Sequence, residues 1–412
     1  MAGFVKEVTP RSQAIDLVSE ALSFPWATRE KYLNINDAFG RIISKDIAAD
    51  GPYPPYTRSL RDGYAVAGTD VVAATEGTPS FLRKTGEILM GEVPAKSVSF
   101  GEAVSIPTGG LLPEGADAVV MTEDTSLTAD WVEVRRSVQA GENIIRAGEE
   151  FASGANVLHC GEIIDFRSVS LLAALGINDV PVVDLKISIV STGDEIVPAE
   201  TETLPPGKIR DVNGWSVLSL LKRFGFQPEY KGILCDDKEI FEKKVKEELA
   251  GCDVLILSGG SSVGVRDHCS SVLESLPQPG LIIRGINIVP GKPTLIAGCG
   301  DSKKLVISLP GHPLSCLTVG FTVLLPLLMK LIGGDDSLLF RKMHLPVRKD
   351  ITARTGPEEF IPCKLSQGGT VEPLMAKSGY ISVFSGSDGL IRIPSDKETI
   401  RSGETAEVWL WQ

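Results

Sequence analysis

Lys186-Ile187-Ser188-Ile189-Val190 runs without a break into Ser191-Thr192-Gly193-Asp194-Glu195. A short apolar run rich in β-branched residues, with no strict alternation, predicts a strand buried on both faces. The turn behind it carries glycine, hydroxyls and carboxylates. The same design recurs twice. Residues 253–257 (Asp-Val-Leu-Ile-Leu) enter Ser258-Gly259-Gly260-Ser261-Ser262-Val263-Gly264, and residues 305–309 (Leu-Val-Ile-Ser-Leu) enter Pro310-Gly311-His312-Pro313-Leu314-Ser315. Between them lie predicted helices at 213–224, stopped by Gly225, and at 238–250, with a strand at 230–234. A helix near 268–275, strands near 281–289 and a long helix from Leu314 follow. Strands alternating with helices predict right-handed crossovers and a doubly wound parallel sheet covered on both faces.

In such sheets ligands bind at the carboxyl ends of the strands. If the strands are parallel, all three turns open on one edge. Glycine lets backbone N–H groups approach an oxyanion, and the helices after the second and third turns add their positive N-termini. None of the turns is a Walker A loop or a Rossmann fingerprint. The candidate anion contacts are Ser191, Thr192, Gly193, Asp194, Ser258, Gly259, Gly260, Ser261, Ser262, Gly264, Pro310, Gly311, Pro313 and Ser315. Lys292, stiffened between Pro290 and Pro293, supplies positive charge, with Arg210, Arg266 and Arg284 nearby in sequence. Carboxylates beside phosphate-binding amides make chemical sense through a hard cation such as Mg²⁺. Asp194, Glu195 and Asp267 suit that metal or catalytic role, whereas Asp237 suits helix capping; Asp211 and Asp236 accompany them.

Working outward, residues 10–24 predict a helix, and Pro52-Tyr53-Pro54-Pro55 marks a boundary. Short β-branched runs at 103–107, 117–122 and 131–135 predict a small β-rich domain, and 166–175 a helix closed by Gly176. After Gly333-Gly334 short strands return, predicting a small C-terminal β domain. Residues 305–329 contain no Asp, Glu, Lys or Arg. Pro310, Gly311 and Pro313 split that stretch, and Pro326 is expected to interrupt what remains. What remains is expected to be too short for a membrane span, so a buried core helix is predicted there.

Composition fits these readings. The 412 residues include 53 acidic and 41 basic side chains, a net charge of −12, with 43% hydrophobic and 23% charged residues. Such a chain has ample core and is a poor general binder of nucleic acid, which needs clustered cations. The seven cysteines are scattered, and the adjacent pairs His159-Cys160 and His268-Cys269 do not have zinc-site spacing. Residues 1–10 carry no apolar h-region. A reducing, cytoplasmic location is expected.

Taken in order, Ser59-Leu60-Arg61-Asp62-Gly63-Tyr64-Ala65-Val66, Thr108-Gly109-Gly110, Pro113-Glu114-Gly115-Ala116-Asp117-Ala118-Val119-Val120-Met121 and the three strand-turn segments, with Pro290-Gly291-Lys292-Pro293, resemble the molybdopterin molybdenumtransferases, the MoeA and gephyrin E-domain family. The resemblance covers residues 10–412. It implies insertion of molybdate into adenylylated molybdopterin, with release of AMP and help from a divalent cation. It implies four domains in an elongated homodimer: an α/β substrate-binding domain of the MoCF-binding kind (1–29 and 177–334), a linker domain (30–52 and 151–176), a β-rich domain (53–150) and a small C-terminal β-barrel (335–412). By motif position it assigns Asp62, Glu195, Asp236 and Asp267 as functional carboxylates, with Glu150 where an Asp is common. Asp62 is the group that reaches across from the partner subunit. Other enzymes of the cofactor pathway are its expected protein partners.

Two departures stand out. Members often carry K-x-A-x-K before the PGKP turn, where this chain has Gly285-Ile286-Asn287-Ile288-Val289, and an Arg after the Glu-Phe pair, where it has Ile361-Pro362. Arg284 is a candidate replacement for one lost cation. The missing lysines leave two alternatives open: a tungstate-inserting or divergent paralogue, and a scaffold of the gephyrin sort whose catalysis has lapsed.

Overall fold

The computed structural model describes residues 8–26, 28–259, 263–375 and 377–411, and only the backbone of 263–268 and 338. The chain forms two compact units. The first comprises the residues up to Lys45, His159–Ala173 and Ile177–Gln412. Its centre is a six-stranded sheet. In chain order the elements are α1 (Arg11–Ala21), β1 (Ile187–Thr192), α2 (Asn213–Arg223), β2 (Pro228–Leu234), α3 (Lys238–Gly251), β3 (Val254–Gly259), α4 (Val263–Glu274), β4 (Pro279–Ile283), β5 (Leu295–Cys299), β6 (Lys304–Leu309) and α5 (Pro313–Ile332). The spatial order is β2-β1-β3-β6-β5-β4.

The apolar runs are continuous because both faces of the sheet are covered. Ile187 and Ile189 of β1, Val254 and Ile256 of β3, and Leu305, Ile307 and Leu309 of β6 pack into a core with α1, α2 and α5. Val190, Leu255, Leu257 and Val306 point the other way, into a core with α3 and α4.

β2, β1, β3 and β6 are parallel, as expected. The all-parallel sheet is not: β5 is antiparallel to both β6 and β4. No helix separates β4, β5 and β6, so the chain reverses instead of crossing over, by a short turn between β5 and β6. The single strand expected at 281–289 is likewise two pieces. Its second piece, Ile288–Val289, leaves this sheet to pair with Glu358–Glu359 in the C-terminal sheet. The helix expected near 268–275 starts five residues earlier, at Val263.

The apolar stretch is a core helix, as predicted, but by length it is not too short to span a membrane, and Pro326 does not end it. α5 runs 20 residues with 89% of its apolar window buried. A π-helical turn at Gly320–Leu324 precedes Pro326, a wider turn of the kind that accommodates an interruption in the hydrogen-bond ladder. Pro326 cannot donate to the carbonyl of Thr322, four residues back, and Arg11 Nη1 of α1 supplies a donor to that oxygen at 3.4 Å.

The C-terminal residues supply five strands of a second six-stranded sheet around Ile361, Cys363, Ile391 and Val408, and Ile288–Val289 is the sixth. Beside the α/β core, Arg29–Asn34 pairs antiparallel with Asp179–Asp184, a strand the apolar pattern before Leu185 did not announce.

The second unit, Asp46–Leu158 with Ala174–Gly176, is β-rich as expected. Its main sheet has the order Ala118–Met121, Gly63–Val66, Glu102–Ile106, Ser80–Glu87, Trp131–Val134, Thr125–Thr128. Tyr64, Val66 and Val120 pack on one face, and Ala65, Val119 and Ile106 on the other.

Candidate ligand-binding site

Because β1, β3 and β6 are neighbouring and parallel, their carboxyl ends share one rim. Thr192 stands opposite Gly259, and Ser258 opposite Leu309. A cavity of about 510 Å³ opens there. Its wall takes Ser191, Thr192 and Glu195 from the first turn, Ser258 and Gly259 from the second, and Gly311, His312 and Pro313 from the third. Arg210, Asp211 and Asn213, ahead of and at the start of α2, complete it, with Gly379 and Ile381 of the C-terminal sheet domain.

The close packing of the turns requires glycine at two points. Gly259 has φ +116°, and a Cβ there would lie 2.1 Å from the Thr192 carbonyl oxygen. Gly193 has φ +142°, and its Cβ would fall 2.8 Å from Glu195 Oε2. The carboxylate of Glu195 therefore lies over the first turn while its residue lines the cavity.

Asp194, its neighbour, is turned elsewhere. Asp194 Oδ1 accepts the Asp236 N–H at 3.0 Å, and its carbonyl accepts Lys208 Nζ at 2.6 Å. It ties the β1 turn to the β2 turn and is not on the cavity wall, and neither is Asp236. Asp237 caps α3, accepting from the N–H groups of Glu239 and Ile240. Among the described residues no three His, Cys, Asp or Glu side chains cluster as a metal site. Gly260, Ser261 and Ser262 lie outside the described residues. Gly264 and Asp267 sit in the first half of α4, Asp267 without a described side chain.

Among the described residues, positive charge is scarcer at the rim than the sequence suggests. Arg210 folds back, donating to the carbonyls of Thr201 and Glu202. Arg284 is bound by Glu274 at 2.6 Å, so it does not stand free to replace a lost cation. Lys292, Pro310 and Ser315 are not on the cavity wall. The positions of the missing lysines are used structurally: the Gly285 carbonyl accepts the Thr9 N–H at 2.9 Å, and Val289 pairs with Glu359 in the C-terminal sheet. Glu359, before the missing Arg, accepts the Arg354 N–H.

Sequence reasoning named Asp211 only in passing and did not reach Tyr230 at all. Asp211 is 4% exposed and accepts two bonds, from Tyr230 Oη at 2.6 Å and from the Gly214 N–H at 3.0 Å. Burial, and then the bond to Asp211, push the Tyr230 hydroxyl well above its ordinary value, so it stays a donor. Ser191 Oγ and Ser258 Oγ, both of residues on the cavity wall, meet at 3.1 Å. The one available signal was the alternation of β2, which turns Tyr230 toward α2. Asn213 Nδ2 donates to the Gly311 carbonyl at 2.8 Å, joining the start of α2 to the third turn.

The second unit brings together its own motifs. Asp62 Oδ1 accepts the Thr108 N–H at 2.7 Å, and Ser59 exchanges backbone bonds with Gly109 and Gly110. Hydrogen bonds from Thr108, backbone first, hold the exposed Asp62 carboxyl below the usual carboxylate range. Glu150 is exposed in a turn, its N–H bonded to the Tyr53 carbonyl. Elsewhere, burial pushes the Cys269 thiol up to about 11 and the Cys363 thiol up to about 12, the behaviour of packing residues rather than ligands.

Comparison with known proteins agrees with this architecture. Residues 9–176 match the MoeA N-terminal region (domain I and II), 188–330 the probable molybdopterin binding domain, and 344–411 the MoeA C-terminal region (domain IV). A putative molybdopterin biosynthesis protein of Methanocaldococcus jannaschii is 33% identical over 98% of this chain and 99% of its own. A molybdopterin molybdenumtransferase of Haemophilus influenzae is 35% identical over 78% and 77%. The crystal structure of the molybdopterin biosynthesis MoeA protein from Pyrococcus horikoshii superposes with a TM-score of 0.81 at 32% identity, covering 98% of this chain and all of that one. The chain belongs to the MoeA family of molybdopterin biosynthesis proteins.

Proposed function

We propose that this protein is a molybdopterin molybdenumtransferase, which inserts molybdate into adenylylated molybdopterin and releases AMP as molybdenum cofactor forms. The observation that carries the reading is the convergence of three parallel strand ends on one cavity of about 510 Å³. The glycine turns let backbone amides close on phosphate oxygens, and the apolar side chains of Ile196, Ile209, Val212 and Ile381 give a flat ring somewhere to lie. Relatives named for molybdenum favour molybdate over tungstate and an enzyme over a lapsed scaffold.

Glu195 is the carboxylate on the cavity wall that suits a hard cation, and Asp267, on the helix leaving the same rim, is its proposed companion. Mg²⁺ commonly takes one or two carboxylates plus substrate phosphates, so a pair suffices. Bound there, it would neutralise the charge of the phosphoanhydride. Ser191, Thr192, Ser258 and Gly259 would position the ligand, and Gly260, Ser261, Ser262 and Gly264 are proposed to contribute to the same contacts. Lys292 and Ser315, which are off the cavity wall, would contribute a positive charge and a hydroxyl to binding the anion. In this proposal the four-domain division stands, the protein works as a homodimer in the cytoplasm, and Asp62 of one protomer completes the other's site, with Glu150 near it.

The test is direct. Purified protein is incubated with adenylylated molybdopterin, Mg²⁺ and molybdate, following AMP release and activation of a cofactor-free molybdoenzyme. Stoichiometric release with activation is expected. AMP retained on the pterin, or released without active cofactor, would refute the assignment.

A further inference from the structure

At the amino end of the central sheet, opposite the rim, a second cavity of about 290 Å³ opens within the same compact unit. β1 walls both cavities: Ile187 and Ser188 line this one, Ser191 and Thr192 the other. Three cations and three acids stand on its wall, Arg41, Lys186 and Lys231 with Asp184, Glu229 and Glu248. Each acid is answered by a cation. Glu229 holds Lys231 at 2.7 Å, and Glu248 holds Lys244 of α3 at 2.9 Å. Asp184 lies 3.8 Å from Arg29, which also binds Asp253. The two cations left over are Arg41 and Lys186, neither of which makes an ion pair among the described residues.

Arg41 is fixed in place by its backbone. Its N–H donates to the Ala38 carbonyl at 3.0 Å, and its own carbonyl accepts the Ile164 N–H at 2.9 Å. Ile42, the next residue on the wall, is buried in the core and packs so closely on Gly225 that a Cβ there would fall 2.6 Å from Ile42 Cγ1. The guanidinium nevertheless uses few of its five N–H donors. Nη2 makes one long bond, 3.4 Å, to the Val183 carbonyl. Nε is buried and has no partner among the described residues. Burial pulls the guanidinium pKa down from its ordinary value and the Asp184 charge acts against that, but a guanidinium stays protonated. A half-buried cation with unmade hydrogen bonds is a local cost that a bound anion would remove.

We propose that this cavity is a second anion site, which takes a small oxyanion, a carboxylate or phosphate group, between the Arg41 guanidinium and the Lys186 ammonium. The planar fork of an arginine matches two oxygens of either group, and a lysine adds a point charge without fixing direction. Gln227, exposed on the same wall, adds amide donors. Because the backbone on either side of Arg41 is already bonded, little ordering is left for the anion to impose. The inference does not depend on the pterin-nucleotide reading, since the charges that carry it lie at the other end of β1.

Calorimetric titration of the full chain with inorganic phosphate and with succinate, at constant ionic strength, tests the site. At least one of the two is expected to bind, and the tighter one names the oxyanion. Arg41→Gln should weaken it about ten-fold or more, and Lys186→Gln, at an exposed side chain, about three-fold. Lys243→Gln, an exposed lysine of α3 off the cavity wall, should leave it within about two-fold, which separates a site from general surface charge. Excess AMP, a competitor for the rim, should also change it by less than about two-fold. If Arg41→Gln does not fold, Lys186→Glu must weaken the anion about ten-fold or more. Neither anion binding at about 10 mM, equal affinity in wild type and the folded variants, or displacement by AMP overturns the proposal. Absence of AMP release from adenylylated molybdopterin, with this binding intact, would overturn the molybdenumtransferase reading and leave the second site standing.

Discussion

Gly259 is where a single atom decides whether the rim can form. Its φ of +116° disfavours any side chain, and a Cβ would stand 2.1 Å from the Thr192 carbonyl, which belongs to the neighbouring strand and cannot swing aside. Gly259→Ala should therefore push β1 and β3 apart at their carboxyl ends. We expect loss of stability of about 2 kcal/mol or more and at least a ten-fold drop in AMP affinity, read by thermal melting and calorimetry. Gly251→Ala is the matched control. It closes α3, its Cβ would meet nothing within 4 Å, and both readings should stay near wild type. Equal damage from the two substitutions would refute the packing argument. Glu195 tests the chemistry at the same turn. Glu195→Gln keeps the shape over Gly193 and removes the charge, so the Mg²⁺ dependence of AMP release should move to concentrations about ten-fold higher, with the melting temperature unchanged. An unaltered Mg²⁺ titration would take Glu195 out of the cation's reach.

Helix α5 shows how a local rule is overridden by a contact far away in sequence. Pro326 reads as a breaker, yet the helix continues because the π turn and Arg11 accommodate the missing bond. The same guanidinium binds Glu358 at 2.8 Å, and Arg392 binds that carboxylate from the other side and Glu407 beyond it. Burial opposes the charge on Glu358, but Arg11 and Arg392 outweigh it and hold its carboxyl below the usual carboxylate range. Arg11→Ala should cost roughly 3 kcal/mol in urea unfolding near neutral pH, since it leaves a buried charge half-paired. The sign of the pH effect follows from a folded value depressed below the unfolded 4.5. The pair's contribution is complete above pH 4.5 and is lost as pH falls through the folded value, so wild type and variant should converge in acid. A constant difference across that range would show that lost packing, not charge, is responsible. The legible elements were those whose neighbours lie close in sequence. The parallel strands, α2, α3 and the Asp237 cap were readable because each carries its own periodicity or capping residue. β5 was missed because Ala297 and Gly298 look like loop residues. Gly298 is small because Leu22, just after α1, lies over it, where a Cβ would meet Leu22 Cδ2 at 2.5 Å, a constraint invisible to any local window.

At the scale of the whole molecule, the ordered motifs carried the family while their individual roles stayed obscure. The strand ends could be counted from the sequence, and so could the acids. Which acids face the cavity could not: Asp194 and Glu195 are adjacent, yet one ties two turns together and the other lines the wall. Alternation along a turn has no fixed period, so side-chain direction there is set by tertiary bonds. Asp62 raises the same question between subunits, because it lies in the β-rich unit and the cavity in the other. Complementation in mixed dimers answers it. A protomer with Asp62→Ala is co-expressed with one carrying Glu195→Ala under a second tag, and the heterodimer is isolated on both tags. If Asp62 serves the partner's cavity, one site in the heterodimer pairs an intact Glu195 with an intact Asp62, while its twin lacks both. AMP release with cofactor transfer should return to about half the wild-type rate, although each variant homodimer is inactive. If Asp62 serves its own chain's cavity, both sites are damaged and the heterodimer stays as inactive as its parents. Light scattering on the same sample should give about twice the 44.0 kDa of one chain. A monomer of full activity would rule out the shared site.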